Sequence, residues 1–464
     1  MSVRRTGSGI ACRMGVRQFL HVLVLSAAGF GSVSAAEPLT LETAVTQAVQ
    51  ANPGLKATVL ERDARALERD IARGQRYPAV GFDATYTRYS DPYLIHPIEQ
   101  PGAFPPLDTD VASAGLSLRV PLYAGGKLVA GESLAANTTE SAVQRLLGSE
   151  QDLIFNVVSS YAKALQLRDL SVAEARRIAG LQAEVDEIQR KIDEGRAARL
   201  EVLRVQSQLS RAQFDQVATA QGERDALALL AALMDVPVRA WSLVDLPALP
   251  DSLPDSDEAA VQQAVRDNPR VRQAQAEVDA AVDRVAIARG DRRPSVDLVA
   301  NSRTRRGGDW EGRDDWDVGV ALNVPLFDAG IRKSRVDQAN LDRLRAEENL
   351  RGVVNEVETD VRTAFGSLRT SEKQLDAARR ALDESDEALR IEAQSYRAGR
   401  STVTDLLSAE AARWAALASL NQAEYDQFVA AVRLYRALGR LTPDMFTDGT
   451  PSPAEPPRVE EGMS

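Results

Sequence analysis

The chain has 464 residues, 56 Lys and Arg against 67 Asp and Glu, a net charge of −11, one cysteine, two histidines and 5% aromatic residues. An acidic balance argues against a nucleic-acid partner, which needs a basic face to neutralise phosphates. Cys12, His21 and His96 are the whole supply of thiol and imidazole, so a zinc site, a Cys–His dyad or a Ser–His–Asp triad is hard to build and an enzyme would be left with carboxylate chemistry. Paired acids such as Asp314–Asp315 and Glu347–Glu348 read as solvated charges.

Residues 1–18 carry four arginines and no acid, Phe19–Phe30 is apolar but for His21, Ser26 and Gly29, and small residues follow from Val33 to Ala36. This is the pattern of a signal peptide over 1–36, too short in its apolar part to span a bilayer as a helix. Its removal leaves 52 basic against 67 acidic side chains, a charge of −15, and no cysteine for a disulfide or a lipid.

An internal repeat follows. Ala44–Pro53 (AVTQAVQANP) matches Ala260–Pro269 (AVQQAVRDNP), and Pro78 matches Pro294, all at an offset of 216. Val120-Pro121-Leu122-Tyr123 matches Val324-Pro325-Leu326-Phe327, and Gly195 matches Gly399, at an offset of 204. Ordered landmarks on two constant offsets predict a duplication, with a first repeat over 37–236, a linker over 237–257 and a second repeat over 258–442. The offset changes because the first half carries a longer proline-rich excursion, Ser90–Asp110, which reads as a surface loop. The end of the chain, 443–464, reads as a polar disordered tail.

Each repeat holds two strand patterns and then a long helical one. Val80, Phe82, Ala84 and Tyr86 alternate with Gly81, Asp83, Thr85 and Thr87, and similar alternation runs from Ala112 to Val120 and from Trp316 to Leu326, more weakly from Val296 to Ala300. The strands are expected near 79–89, 111–122, 295–303 and 315–326, each about ten residues, which is the length of a tilted membrane-spanning strand. Four strands cannot close a barrel and lipid does not tolerate open edges, so a transmembrane reading requires several chains; two would give a filled barrel of eight strands and three a lumen within twelve. Downstream, Val354, Val361, Leu368, Leu375, Leu382, Leu389 and Tyr396 recur at every seventh position, with Val357, Ala364, Ser371, Ala378 and Ser385 between them. That 3.5-residue period predicts supercoiled helix. Lys127–Glu194 alone would reach on the order of 100 Å as helix.

Two motifs join these parts. Pro121 with Gly125-Gly126, and Pro325 with Gly330, suit a strand that stops and a chain that turns into a helix. Gly399-x-x-Thr402-x-x-Asp405, just after Tyr396, is echoed by Gly195-x-x-Ala198-x-x-Glu201, with glycine suited to a helix stop, Thr402 or Ser401 to the next N-cap and the acid to the first helical turn. Capping alone accounts for all three residue types.

On these motifs, and over nearly all of the chain after the leader, the sequence resembles the TolC family of outer-membrane efflux proteins. The resemblance implies a mainly α fold with a β-barrel part: two tandem repeats of helix, β-hairpin, long helix and helix, assembled as a homotrimer around a shared 12-stranded barrel in the outer membrane of a Gram-negative envelope, with a helical periplasmic tunnel. It implies a passive exit duct working with an inner-membrane pump and a periplasmic adaptor, without catalysis or a cofactor. Asp405 then matches the acid of the periplasmic entrance and Tyr396 and Glu201 match gate-linking positions, while Gly195, Arg199, Gly399, Arg400, Ser401 and Thr402 form the hairpin tips that meet an adaptor. Ser401 stands where the family's gate has an arginine and Ser408 where it has a second aspartate, so the lock is expected to be weaker or to use Arg199 or Arg400. The other reading of the long helices is a periplasmic coiled-coil adaptor or scaffold.

The leader pattern predicts a mature N-terminus at Ala36 or Glu37. Intact-mass measurement of protein from the envelope should find residues 1–35 or 1–36 missing; finding residues 1–30 on that material would reject the assignment.

Overall fold

The computed structural model describes residues 37–95, 107–250, 253–310 and 312–446. The leader, the middle of the excursion with His96, and 447–464 lie outside the described residues.

After β1 (Glu37–Leu39), the first repeat runs α1 (Leu41–Ala51), α2 (Pro53–Gly74), β2 (Ala79–Leu94), β3 (Leu107–Tyr123), α3 (Lys127–Asp193) and α4 (Arg199–Leu233). After β4 (Trp241–Leu243), the second runs α5 (Asp257–Asp267), α6 (Pro269–Gly290), β5 (Ser295–Arg306), β6 (Gly312–Asn323), α7 (Ile331–Arg397) and α8 (Val403–Ala437). Helices match in length across the repeats: 11 residues for α1 and α5, 22 for α2 and α6, 67 for α3 and α7, 35 for α4 and α8. Each long helix is the spine of a rod about 100 Å long, with a 22-residue helix beside its start and a 35-residue helix folded back along the rest. Among the described residues no helix is long and apolar enough to cross a membrane.

The repeated Asn-Pro pair has a physical reason. Asn52 Oδ1 accepts from the Leu55 N–H at 3.1 Å and Asn268 Oδ1 from the Arg270 N–H at 2.9 Å, with proline at the first helical position, so each starts a helix. The same side chains donate through Nδ2 to the last carbonyls of the returning helices, Leu233 at 3.0 Å and Ala437 at 2.9 Å. One asparagine thus closes two helix ends in each repeat.

The core lies midway along the rod. Leu41, Ala44, Val45 and Ala48 of α1 pack on Ile154, Val157, Val158, Tyr161 and Leu165 of α3, with Leu230 of α4 and Tyr435 of α8. The α7 seam read from the heptads is buried at Val357, Val361, Ala364, Leu368, Ser371, Leu375 and Ala378, and half-buried at Leu382, Ser385 and Leu389 nearer the tip.

The linker is more ordered than its composition predicts. β4 pairs in parallel with β1, Glu37 opposite Trp241 and Leu39 opposite Leu243. Tyr161, fully buried, ties this pair to α3: its hydroxyl accepts from the Val244 N–H at 3.0 Å and has the carbonyls of Val244 and Leu39 at 2.6 and 2.7 Å. Burial pushes the phenol up to about 12. Arg168 adds a bond to the Leu243 carbonyl at 2.6 Å. The start of the expected tail is also structured, because Pro443–Phe446 makes a short 3₁₀ turn whose Phe446 enters the core.

The four long strands form one antiparallel meander in the order β2-β3-β5-β6. The register keeps the alternation in phase across the sheet: Val80, Phe82 and Tyr86 face Leu118, Leu116 and Ala112, and Leu298, Ala300 and Ser302 face Val320, Val318 and Trp316 on the same side. The opposite side carries Asp83, Thr85, Ser113, Ser117, Asn301 and Asp317, joined by Thr85–Ser113 at 2.7 Å and Asn301–Asp317 at 3.0 Å. Strands β2 and β3 run 16 and 17 residues, well into the stretch expected as loop. Pro92 had argued for a loop there, but β2 is an edge strand and the pairing shifts between Arg88 and Tyr93, where a proline and a bulge are both tolerated. Strand β6 instead stops at Asn323, two residues before Pro325 and short of the expected 326.

Replacing Tyr161 by Phe should lower the unfolding free energy by about 1–3 kcal/mol, because buried backbone groups of β1 and β4 lose a partner. Thermal unfolding followed by circular dichroism would read it; an unchanged midpoint would mean that the β1–β4 pair holds α3 without the hydroxyl.

Candidate functional site

The two rods end in helical turns that the repeat makes alike in backbone and unlike in capping. Gly195 (φ 73°) and Gly399 (φ 69°) take the left-handed conformation that glycine alone adopts without strain. Around them the Arg196 N–H reaches back to the Lys191 carbonyl at 2.7 Å and the Arg400 N–H to the Ser395 carbonyl at 2.9 Å. In the second tip Thr402 caps α8 with a reciprocal pair: the Asp405 N–H donates to Thr402 Oγ1 at 3.3 Å, while the Thr402 N–H and hydroxyl donate to Asp405 Oδ2 at 3.0 and 2.6 Å. These bonds from Thr402 hold the Asp405 carboxyl below its ordinary value. In the first tip Ala198 has no side chain to offer, and Glu201 serves the first turn of α4 only through the helix dipole.

The remaining tip residues are brought together only in part. Tyr396 packs on the apolar cluster of Leu181, Val185, Ile188, Val202 and Leu407, and Lys191 Nζ stands 5.5 Å from its ring centre. Burial raises its phenol, Lys191 opposes this, and Glu201 is near enough to add to the rise. Tyr396 and Glu201, matched above to gate-linking positions, are not hydrogen-bonded to each other within the protomer; the lysine that faces the ring is itself paired with Glu187 at 2.7 Å. Arg199 and Arg400 are exposed and pair with no acid of the same protomer among the described residues. Ser401 Oγ is buried without a hydrogen-bond partner. Arg204 of α4 also reaches across to Thr404 of α8 in the other hairpin. Sequence reading missed Arg204 and Lys191 because each looked like one more charge on a wet helix face; their place within a turn of the seam was the available signal.

At the other end of the rods the two strand-to-helix junctions differ. Gly125 and Gly126 are both left-handed, and a Cβ on Gly125 would lie 2.4 Å from the Gly290 carbonyl oxygen at the end of α6. Arg293 donates to the Gly125 carbonyl at 3.2 Å, and Lys127 pairs with Asp291 at 3.2 Å. Pro121 does not end its strand: the ladder shifts register there and runs on to Tyr123. In the second junction Asp328 accepts from the Gly330 and Arg332 N–H groups at 3.2 and 3.0 Å, a Cβ on Gly330 would meet open space, and Leu326 and Phe327 beside Pro325 are each 90% exposed. Among the described residues no group of three or more metal-ligating side chains comes together.

The family model described as outer membrane efflux protein matches residues 44–235 and 260–440. Among curated proteins, the outer membrane protein TolC of Escherichia coli (strain K12) is 26% identical over 450 residues, covering 92% of this chain and 87% of the relative. The alkaline protease secretion protein AprF of Pseudomonas aeruginosa is 25% identical over 402 residues, covering 83% and 82%. Among solved structures, the open state of the Neisseria gonorrhoeae MtrE outer membrane channel superposes with a TM-score of 0.74 at 21% identity, covering 88% of this chain and 91% of that one.

Replacing Asp405 by Ala should speed amide hydrogen exchange over 403–407, and Asp405→Asn should do so less, because an amide oxygen can still accept from Thr402. In the parent the same protection should fade in acid, since a carboxylate with a lowered pKa stabilises its cap above its ordinary value and loses that contribution as pH falls through the lowered one. Equal exchange in all three proteins would show that Thr402 caps α8 unaided.

Proposed function

The chain belongs to the outer membrane efflux protein family, and from that premise we propose that it is the exit duct of an efflux or type I secretion system, a homotrimer whose twelve strands close one barrel and whose helices form a periplasmic tunnel. As a member of that family it is an outer-membrane export channel of a Gram-negative envelope. The alternative of a periplasmic adaptor or scaffold leaves unexplained a sheet that exposes Val80, Phe82, Leu116, Trp316, Val318 and Val320 on one face, and the chain's relatives include an outer membrane efflux protein and a protease secretion protein.

The observation that carries the trimer is a set of open surfaces that the repeat itself completes. Strands β2 and β6 are the two free edges of the meander, and they run in opposite directions, so β6 of one copy can pair antiparallel with β2 of the next. Helix α6 packs between α3 and α7, whereas its repeat partner α2 packs on α3 alone and leaves Leu60, Leu67 and Ile71 exposed. The α3–α6 contact inside the chain therefore has its counterpart in an α7–α2 contact between chains, which covers Leu326 and Phe327 at the open junction. By the same rule the α3–α8 contact has its counterpart between α7 and the α4 of a neighbour, where Leu200, Leu203, Phe214 and Val217 lie exposed at heptad spacing. Three copies satisfy every edge and leave a lumen; two would fill it.

In this assembly three copies of Asp405 surround the periplasmic entrance and favour cations, their field focused by low-dielectric walls. The tips from Gly195 to Arg199 and from Gly399 to Thr402 then face the adaptor, and an inner-membrane pump supplies the cargo. The capping role of Asp405 and this role are compatible, because its carboxylate is exposed while it accepts from Thr402.

The only cysteine lies in the leader, so paired cysteines report cleanly. Thr85→Cys combined in turn with cysteine at Val318, Gly319, Val320, Ala321 and Leu322 should yield, for at least one register, a disulfide-linked trimer on non-reducing gels. In planar bilayers the parent should form cation-preferring pores, less selective in Asp405→Asn. Cross-linking that stops at dimers for every register, or protein that never forms pores, would reject the proposal.

A further inference from the structure

The first hairpin, α3–α4, meets the second, α7–α8, mainly through α3 and α8. That seam contains two acids that no cap or register explains. Glu184 of α3 is half-buried, and its Oε1 is fully buried without a hydrogen-bond partner. Burial first, then the charges of Glu410 on α8 and Glu187 on α3, push its carboxyl up to about 7, with Lys191 acting the other way. Glu410 is raised by burial against the pull of Arg177. It lines a cavity of about 390 Å³ between the hairpins with Leu181, Arg177, Leu407, Arg413 and Trp414.

The nearest cations also make other contacts. Arg177 lies over the Trp414 ring at 5.2 Å, Arg413 pairs with Asp386, and Lys191 pairs with Glu187 while facing Tyr396. Arg176 also lines the cavity, and α4 contributes the uncharged Gln208. From α7 the titratable group facing Glu184 is the Tyr396 phenol. No salt bridge reaches either Glu184 or Glu410 among the described residues. Two carboxylates in a partly dry seam with no salt bridge to either among the described residues repel each other unless at least one holds a proton.

We propose that Glu184 and Glu410 form a proton-operated latch between the hairpins: protonated, they let α3 and α8 pack, and ionised, they draw water in through the cavity and separate them. The sign follows from linkage. A carboxyl held above its ordinary value in the packed seam favours packing in acid and loses that advantage progressively as pH rises to its raised value. The latch sits within three turns of the Gly195 and Gly399 tips, so its release acts where the hairpins converge. Its existence stands on the protomer's geometry; its effect on a pore rests on the channel reading.

The test uses the full-length protein with spin labels at Gln182→Cys of α3 and Ser408→Cys of α8, both exposed. From pH 5 to pH 8 the label separation should lengthen and broaden, the packed-to-separated ratio falling on the order of tenfold or more. With Glu184→Gln and Glu410→Gln added it should stay short throughout. An unchanging parent, or a double variant that titrates like the parent, would overturn the latch. Open probability in bilayers, measured over the same range, should rise in the parent alone. Labels that respond while the pore does not would uphold the latch and overturn its coupling to the channel.

Discussion

An open sheet edge cannot be left in hydrocarbon, where no water is available to the unpaired N–H and C=O groups of the backbone. This chain builds a meander of four strands with an apolar face, and among the described residues no further strand pairs with the outer edge of β2 or β6. The rest of the molecule is consistent with that requirement. The apolar residues stay in phase through three strand pairings, so they share one face across the sheet. The helices below repeat the arrangement, with one side of each repeat satisfied inside the chain and the matching side left exposed. A duplicated sequence that contacts itself in this way offers a neighbour the same contact it makes internally.

Long helices need restraint along their length, since helical propensity alone does not hold a 67-residue helix in place. Here the restraint is concentrated midway. Asn52 and Asn268 each close the start of one helix and the end of another, and Tyr161 and Arg168 tie the short β1–β4 pair to α3. Tyr425 of α8 reaches Asp169 of α3 at 2.6 Å and brings the second repeat into the same network. Towards the tips such ties become fewer. The apolar cluster narrows to Leu181, Val185, Ile188, Val202, Val205 and Leu407, and polar groups enter the seam without full partners. A rod fixed at its waist and less firmly joined near its end can move its end without unfolding its middle.

The tips also show how a residue can satisfy local structure and remain available for function. Asp405 is an N-cap partner by geometry and an exposed charge by position. Tyr396 is a seam residue whose ring meets a lysine rather than the acid the family pattern suggested. The repeats diverge where these roles diverge: Thr402 and Asp405 cap α8 reciprocally, while Ala198 and Glu201 do not cap α4.

Periodicity and spacing in the sequence determined the duplication, the four alternating strands, the heptad seam of α7 and the glycine turns, because each depends on contacts within a few residues or on the phase of one element. The polar side of the strands and the left-handed conformations of Gly195, Gly399, Gly126 and Gly330 were legible for the same reason. Tertiary structure alone decided the β1–β4 pair, which joins residues some 200 apart through three-residue strands too short to carry a pattern, and the extension of β2 past Pro92, which depends on that strand being an edge. It also decided which charges meet. Lys191 with Tyr396 and Arg204 with Thr404 depend on how two hairpins are rotated against each other, and a helix surface rich in Arg, Glu and Gln carries no signal of which of its charges will face a neighbour.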